Sequence, residues 1–203
     1  MTLKIILAVL VGYFLGSVPF ALVIGKVFYK TDIRNFGSGN LGGGNTGRVL
    51  GKKAGLAVMT LDILKVTLAM FLVSLAEKSD VMLTVSGVAA AIGHCFPIFA
   101  KFKGGKAVAT MYGFLFGLIV VGGNSILLFI VPLVSFLIIL YISKIIAVAS
   151  ISSALIAAVY VAVSLKSLLF TAALIVFAVL LIWRHVPNIK RMIKGEENKI
   201  KWM

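Results

Sequence analysis

The amino-acid sequence predicts an all-α integral membrane protein, a bundle of about seven transmembrane helices. The chain is 61% hydrophobic with a mean hydropathy of +1.14, and only 13% of its 203 residues are charged. Its apolar runs approach the roughly 20 residues of a membrane-spanning helix, whereas the strands of a membrane β-barrel give alternating segments of about ten. A helix also satisfies its own backbone hydrogen bonds in lipid. Residues 1–203 are expected to form one membrane-embedded domain.

The predicted spans follow one another along the whole chain. Their approximate ranges are 3–25, 54–75, 81–99, 107–123, 125–142, 145–163 and 168–183. The segments between 107 and 163 are the least clearly separated, because Gly122-Gly123-Asn124 and Ser143-Lys144 are very short turns. A total of five spans would keep the same sidedness if two of these segments were merged or re-entrant.

The basic residues are unequally divided between the two sides of the predicted bundle. With the N-terminus outside, 16 of the 20 Lys and Arg residues fall in inner segments, Lys65 falls within a span, and only Lys4, Lys78 and Lys166 fall outside. The positive-inside rule therefore predicts an outer N-terminus, a cytoplasmic C-terminus and a cytoplasmic location for every polar segment. The same rule explains most of the net charge of +14, so we expect a membrane lipid partner and no nucleic acid.

Several common catalytic and metal-binding patterns are missing. The single cysteine, Cys95, excludes paired-cysteine sites, and the chain has no HEXXH pair, zinc-type Cys/His spacing or P-loop. Phe99 and Lys190 stand where an acyltransferase of the HxxxxD type would carry its aspartate. Cys95 directly follows His94, and adjacent helical residues point about 100° apart, so a Cys–His dyad is not expected. We expect no metal and no cofactor.

A glycine-rich polar loop between the first two spans is the strongest candidate for an anion site. It reads Gly37-Ser38-Gly39-Asn40-Leu41-Gly42-Gly43-Gly44-Asn45-Thr46-Gly47-Arg48. Glycines let successive N–H groups converge, Ser and Asn add neutral donors, and the Arg48 guanidinium suits phosphate. A flexible connector is an equally good interpretation of the loop by itself.

A second polar segment follows the third span, from Gly93-His94-Cys95 to Lys103-Gly104-Gly105-Lys106. Pro97 ends or kinks the helix, and the double glycine opens the backbone just before the fourth span. Lys106 would then stand at a helix N-terminus, an arrangement that suits an anionic ligand. For Lys101 and Lys103, anchoring at the membrane interface by snorkelling is the alternative.

A third polar segment, Arg184 to Lys199, emerges from the last span. His185 and Asn188 are three residues apart and would share a helical face, although Pro187 makes the local helix uncertain. A solvated basic tail is the alternative for the cations that follow.

Asp62 and Lys65, three residues apart in the second span, are interpreted first as a structural ion pair, with a catalytic carboxylate as the alternative. Elsewhere the inner cations far exceed the local acids. The missing partner is therefore an anion, and phosphate suits guanidinium, ammonium, hydroxyl and backbone donors together.

Taken together, the three segments resemble the bacterial acylphosphate-dependent glycerol-3-phosphate acyltransferases, the PlsY family. The first family pattern is similar to three stretches here: Asp32-Ile33-Arg34, the loop 37–48, and Asp62 to Lys65. The second pattern is similar to residues 93–106, and the third to residues 184–199. The departures are Gly43-Gly44, Ala107, Glu196 and Ala147. Ala147 replaces one serine of a turn whose other serine, Ser150, is retained.

The resemblance implies transfer of a fatty acyl group from acyl-phosphate to the 1-hydroxyl of glycerol-3-phosphate, which gives lysophosphatidic acid and phosphate. It places this first acylation of phospholipid biosynthesis at the cytoplasmic face of the bacterial inner membrane, and it suggests the enzyme that supplies acyl-phosphate as a partner. It implies catalytic roles for Ser38, Arg48, Lys106, His185 and Asn188. It implies substrate or phosphate binding by Gly37, Gly39, Asn40, Gly42, Asn45, His94, Lys103, Gly104, Gly105, Ser150, Glu197 and Lys199.

Two other functions remain open from the residues themselves. A carrier or flippase for an anionic phospholipid or phosphate would use the same cationic pocket, but it needs a polar pathway toward the outer face. Apart from Asp62 and Lys65, the spans offer almost none. A non-catalytic lipid-binding membrane protein is the third interpretation.

Overall fold

The computed structural model describes residues 1–200, and this part of the chain is helical without strands. The predicted all-α membrane fold is confirmed. The α-helices in these residues are α1 (Thr2–Gly16), α2 (Phe20–Tyr29), α3 (Gly43–Leu50), α4 (Lys52–Ala76), α5 (Asp80–Cys95), α6 (Val108–Val120), α7 (Leu127–Ser143), α8 (Ile146–Leu165), α9 (Leu168–Arg184) and α10 (Val186–Ile193). Short 3-10 turns lie at Ile33–Asn35 and Ile98–Ala100.

Every predicted span corresponds to an apolar helix, but the helices differ in length. Among the described residues, four stretches are long and apolar enough to cross a membrane: Thr2–Tyr29, Lys52–Ala76, Asp80–Ala100 and Ile146–Leu165. A fifth results if α9 and α10, which meet at 53°, form one broken span. Helices α6 and α7 have 13 and 17 residues and are shorter than this. The count of seven spans and the orientation therefore stay predictions.

The first span is interrupted at Ser17–Pro19, where α1 ends and α2 begins. Proline lacks the N–H that would continue the helical ladder. Helix α1 runs parallel to α5 at very close range, because a Cβ at Gly12 would lie 2.3 Å from the Ser86 carbonyl oxygen. A Cβ at Gly16 would likewise lie 2.0 Å from the Ala90 carbonyl oxygen, so only glycine permits this approach.

The main core lies between α4, α5, α6, α8 and α9. Phe114 and Phe177 are fully buried in it, with ring centroids 5.2 Å apart. Met70 fills the space beside the glycines of α6, where a Cβ at Gly117 would lie 2.3 Å from its sulfur. Small residues thus bring the helices together, as is common in membrane bundles, and the large side chains fill what remains.

Three helices end at a lysine in the left-handed conformation. Lys30, Lys144 and Lys166 follow α2, α7 and α8 with φ of 51°, 58° and 51°. This cap position is usually occupied by glycine.

The three polar segments meet at one end of the bundle. The first comprises the loop after α2 and helix α3, the second connects α5 to α6, and the third comprises α10 and the residues after it. The last described residue, Ile200, donates its N–H to the Lys144 carbonyl at 2.8 Å, which ties the C-terminal segment to the turn between α7 and α8.

Candidate active site

A cleft of about 510 Å³ opens where the three polar segments meet. All three contribute to its walls. Its lining residues are Ser38, Gly39, Asn40, Phe102, Lys103, Gly104, Lys106, Trp183, Arg184, Val186, Pro187, Asn188 and Arg191. The predicted meeting of the segments is thus present in the structure.

The glycine-rich loop is held in shape from below by Asn45 of α3. The buried amide of Asn45 accepts the Ser38 N–H at 2.8 Å and donates to the Phe36 and Ile33 carbonyls at 3.1 and 3.4 Å. Gly37 has φ +59°, and a Cβ there would lie 2.3 Å from Asn45 Oδ1. The Asn45 amide is thus committed to the loop backbone and positions Ser38, while phosphate binding by Asn45 stays a prediction.

Asp32 and Arg34, just before this loop, form a close pair. The Arg34 guanidinium donates to both carboxylate oxygens of Asp32, at 2.9 and 2.6 Å. These hydrogen bonds hold the pKa of the Asp32 carboxyl well below its usual range. Arg34 is therefore neutralised locally and lies outside the cleft lining.

A hydrogen-bonded chain of charged and amide groups forms the opposite wall. Lys106 Nζ donates to Asn188 Oδ1 at 2.5 Å, and Asn188 Nδ2 donates to Glu197 Oε1 at 2.7 Å. Arg191 Nε donates to the other oxygen of Glu197 at 2.7 Å. Asn188 thus has its oxygen toward an ammonium and its nitrogen toward a carboxylate, which fixes the orientation of the amide.

Arg184 holds the backbone that leads to Lys106. Its Nε donates to the Gly105 carbonyl at 2.9 Å and its terminal nitrogen to the Gly104 carbonyl at 2.8 Å. This fork uses the planar geometry that distinguishes arginine from lysine. The sequence predicts no site role for Arg184 or Arg191, and both line the cleft. Only their place in the Arg-His-x-x-Asn pattern could have pointed to them.

His185 is 2% exposed at the bend between α9 and α10. Its Nδ1 lies 2.9 Å from the Leu181 carbonyl oxygen. A carbonyl only accepts, so Nδ1 carries a proton and Nε2 is the nitrogen left for other contacts.

Burial and neighbouring cations shift the titration of Lys106. Desolvation and the positive charge of Arg191 lower the pKa of the Lys106 ammonium from 10.5 to about 8, while Glu197 acts in the opposite direction. Lys106 is therefore mostly charged at neutral pH, and it loses its proton when the pH rises one to two units above neutrality.

The other predicted site residues occupy several distinct places. Arg48 is exposed on α3, and its guanidinium has no hydrogen-bond partner within residues 1–200. Lys199 is also exposed. Gly42 precedes the first turn of α3. Ser150 is completely buried in α8. The 6%-exposed His94 contacts Lys65 and Gly105 beneath the cleft and is not among the residues lining it.

The cleft is strongly cationic. Its lining includes two lysines and two arginines and no Asp or Glu side chain, and Glu197 accepts hydrogen bonds from the lining residues Asn188 and Arg191. Such a cavity favours an anionic ligand. No group of three or more potential metal-ligating side chains occurs in the described part of the chain.

Comparison with known proteins decides the family. The sequence pattern of the family described as glycerol-3-phosphate acyltransferase matches residues 6–195. The chain belongs to the glycerol-3-phosphate acyltransferase family. The glycerol-3-phosphate acyltransferase of Listeria monocytogenes (strain EGD-e) is 45% identical over 100% of both chains. That of Geobacillus kaustophilus is 43% identical over 97% of this chain and 96% of its own.

The fold agrees with the same family. A solved structure of PlsY, an integral membrane glycerol 3-phosphate acyltransferase in its glycerol 3-phosphate form, matches with a TM-score of 0.87 at 34% identity. The match covers 97% of this chain and 95% of that one. This glycerol-3-phosphate acyltransferase is thus an integral membrane enzyme. Its relatives are described as acyltransferases and not as carriers.

Proposed function

We propose that this chain transfers a fatty acyl group from acyl-phosphate to the 1-hydroxyl of sn-glycerol-3-phosphate. The products are 1-acyl-glycerol-3-phosphate and inorganic phosphate, and the reaction takes place at the cytoplasmic face of the bacterial inner membrane. Two solved PlsY structures, in a glycerol 3-phosphate form and a lysophosphatidic acid form, support the acceptor and the product. The donor is argued from the cleft and from the resemblance described above.

The observation that carries the proposal is the concentration of cations around one cleft. Lys103, Lys106, Arg184 and Arg191 line it together with the Ser38 loop. Both proposed substrates bring a phosphate, so the site must hold two multiply charged anions at once. Arginine forks, ammonium groups and glycine-loop amides provide donors of the kinds that bind phosphate.

The proposed reaction needs no covalent enzyme intermediate. Acyl-phosphate is a mixed anhydride: the glycerol hydroxyl oxygen attacks its carbonyl carbon, and the bond from that carbon to the phosphate oxygen then breaks. Phosphate leaves with the electron pair. The hydroxyl proton passes to the phosphate of the bound glycerol-3-phosphate, which acts as the base for its own hydroxyl. The protein positions the reactants and stabilises the oxyanion that develops.

We propose the following division of this work among the residues. Ser38 and the adjacent amides, held by Asn45, are placed to bind one phosphate, with the exposed Arg48 guanidinium as a second ligand. Lys106 and Asn188, already bonded to each other, are placed to face the reacting carbonyl or the leaving phosphate. His185 is buried and outside the cleft lining, and it keeps its proposed catalytic role, for which Nε2 is the available nitrogen. Lys199 and Gly42 keep their proposed binding roles.

Purified protein supplied with glycerol-3-phosphate and an acyl donor tests the reaction. We expect equal release of phosphate and lysophosphatidic acid with acyl-phosphate, and no product with acyl-CoA or acyl-carrier protein. Lys166→Ala, at the end of α8, is a matched lysine control outside the site and should keep full activity. Turnover with acyl-CoA but none with acyl-phosphate would show that the donor is assigned wrongly.

The proposed sidedness has its own test. Cys95 is completely buried, so labelling of introduced cysteines has little background. In intact cells, a membrane-impermeant thiol reagent should label Lys78→Cys, between α4 and α5, and should not label Asn198→Cys until the membrane is opened. The reverse labelling pattern would contradict a cytoplasmic active site.

A further inference from the structure

A buried charged cluster lies beneath the active site, within the helices. Lys65 Nζ is 2.6 Å from Asp62 Oδ1, and both side chains are 3% exposed or less. The same ammonium lies 2.9 Å from the Val18 carbonyl oxygen, at the break between α1 and α2, and 3.0 Å from His94 Nδ1. The ammonium thus forms an ion pair with Asp62 of its own helix α4 and hydrogen bonds to the α1–α2 break and to α5.

The cluster fixes the state and direction of the His94 ring. The same Nδ1 also lies 3.5 Å from Asp62 Oδ1; because the nearer Lys65 ammonium only donates, Nδ1 accepts from it and the ring proton is on Nε2. That Nε2 points at the second polar segment, because a Cβ added to Gly105 would lie only 2.0 Å from it. The ring thus stands directly against the backbone of Gly105.

The two glycines before Lys106 are held from both sides. On the inner side, Gly105 N–H donates to the His94 carbonyl at 3.0 Å, and a Cβ at Gly104 would lie 2.0 Å from the same oxygen. On the cleft side, the fork of Arg184 binds both glycine carbonyls. Lys106 follows immediately, so the position of its ammonium depends on this clamp.

A buried ion pair is a poor source of stability. The desolvation of two charges commonly equals or exceeds their attraction, and apolar replacements of similar size are often neutral or stabilising. Ionisable groups within spans are correspondingly rare and tend to serve function. The Asp62–Lys65 pair lies beneath the cleft and outside its lining, so any such service is indirect.

We propose that His94, oriented by the Asp62–Lys65 pair, is a positioning residue that sets the Gly104–Gly105 backbone and thereby the Lys106 ammonium. This assigns the pair a task beyond the structural ion pair expected from the sequence, and it replaces direct substrate binding by His94. The inference rests on the proposed function for the role of Lys106. It adds to the site a layer of side chains that never touch substrate.

Paired substitutions separate positioning from stability. Asp62→Leu combined with Lys65→Met removes the charges together and should leave the thermal midpoint unchanged or raised. The kcat should nevertheless fall about 100-fold, with KM for glycerol-3-phosphate within about threefold, because small misplacements of catalytic groups have effects of this size. Thr67→Ala is the matched control. Thr67 lies on α4, like Asp62 and Lys65, but donates to the Gly113 carbonyl of α6 and not toward Gly104 and Gly105. This variant should keep its kcat.

Two variants at His94 test the contact itself and do not depend on the double variant folding. Asn can replace the Nδ1 acceptor but is too short to reach Gly105, whereas Gln can extend to the position of Nε2. His94→Gln should therefore retain about tenfold more kcat than His94→Asn, within the range that such misplacement spans. Equal activity of the two would overturn the proposal, as would wild-type kcat in the double variant.

Hydrogen exchange provides a readout that does not depend on the acyl donor. The Gly105 amide should exchange faster in His94→Asn than in wild type, and should stay protected in Thr67→Ala. Unchanged protection in His94→Asn would refute the positioning role even if turnover fell. Conversely, if wild type is inactive with acyl-phosphate but the variants show this exchange pattern, the proposed donor is wrong and the positioning role of His94 stands.

Discussion

The pH dependence of the reaction should report the charge of Lys106. Its pKa of about 8 means that the ammonium form predominates below that pH and is progressively lost above it. If the charged form holds phosphate, kcat/KM for glycerol-3-phosphate should be constant near neutrality and should fall at alkaline pH. Phosphate monoesters complete their ionisation near pH 6, so this alkaline fall does not belong to the substrates.

The size of the fall follows from the titration. With a pKa near 8, Lys106 is about 90% protonated at pH 7 and about 10% protonated at pH 9, so kcat/KM should drop about tenfold over that interval. An ordinary lysine, with a pKa near 10.4, would remain almost fully charged throughout. Removing the charge of Arg191 should move the fall to higher pH, and removing that of Glu197 to lower pH, since these two charges act oppositely on Lys106.

Initial rates in detergent or vesicles, from pH 6.5 to 9.5, test this directly. Wild type, Arg191→Gln and Glu197→Gln are compared at limiting glycerol-3-phosphate, since kcat/KM reflects the free enzyme. Lys106→Arg is the decisive control, because a guanidinium does not titrate in this range and the alkaline fall should vanish. If the fall persists unchanged in Lys106→Arg, another group is responsible and the reasoning is refuted.

Three further predictions concern the architecture of the cleft. Gly105→Ala should abolish activity, because its Cβ would collide with His94 Nε2 at 2.0 Å, and normal rates in a folded variant would contradict the close packing. Asn45→Ala should raise KM for phosphate substrates, since the Ser38 N–H loses its partner. Loss of a buried hydrogen-bond partner should also lower the free energy of unfolding by about 1–3 kcal/mol, which thermal unfolding measures. Ser38→Ala and Arg48→Ala should each lower turnover by about 100-fold or more, as removal of an oxyanion donor does; near-normal rates in both would argue against the proposed phosphate wall.

Much of the fold is readable from hydropathy. Each predicted apolar segment is helical in the described structure, the first of them as two helices, because twenty apolar residues in lipid have few alternatives to a helix. Composition does not reveal how long each helix is in the folded protein: α6 covers only 13 residues of the predicted span 107–123. Pro19 marks a break in the first span that the hydropathy of 3–25 conceals.

The site is predictable at the level of segments and less so at the level of side chains. Residue types in a loop show that phosphate can be bound, but not which side chains face inward. Asn45 proved to support the loop from below, and His94 turned toward Lys65 because α4 packs against α5. Arg184 has backbone carbonyls about 80 residues away as its partners, and such a partnership leaves no local signal in the sequence.

The lysines that end α2, α7 and α8 have a consequence for stabilising this enzyme. In a soluble protein, replacing a left-handed residue by glycine is a standard way to relieve roughly 1–2 kcal/mol of backbone cost. At Lys30, Lys144 and Lys166 the same change also removes a cation from the negative end of a helix dipole, worth about 0.3–1 kcal/mol, and an interfacial anchor. The loss offsets part of the gain. Glycine substitution at these chain turns should therefore stabilise this enzyme less than the same change stabilises a water-soluble one.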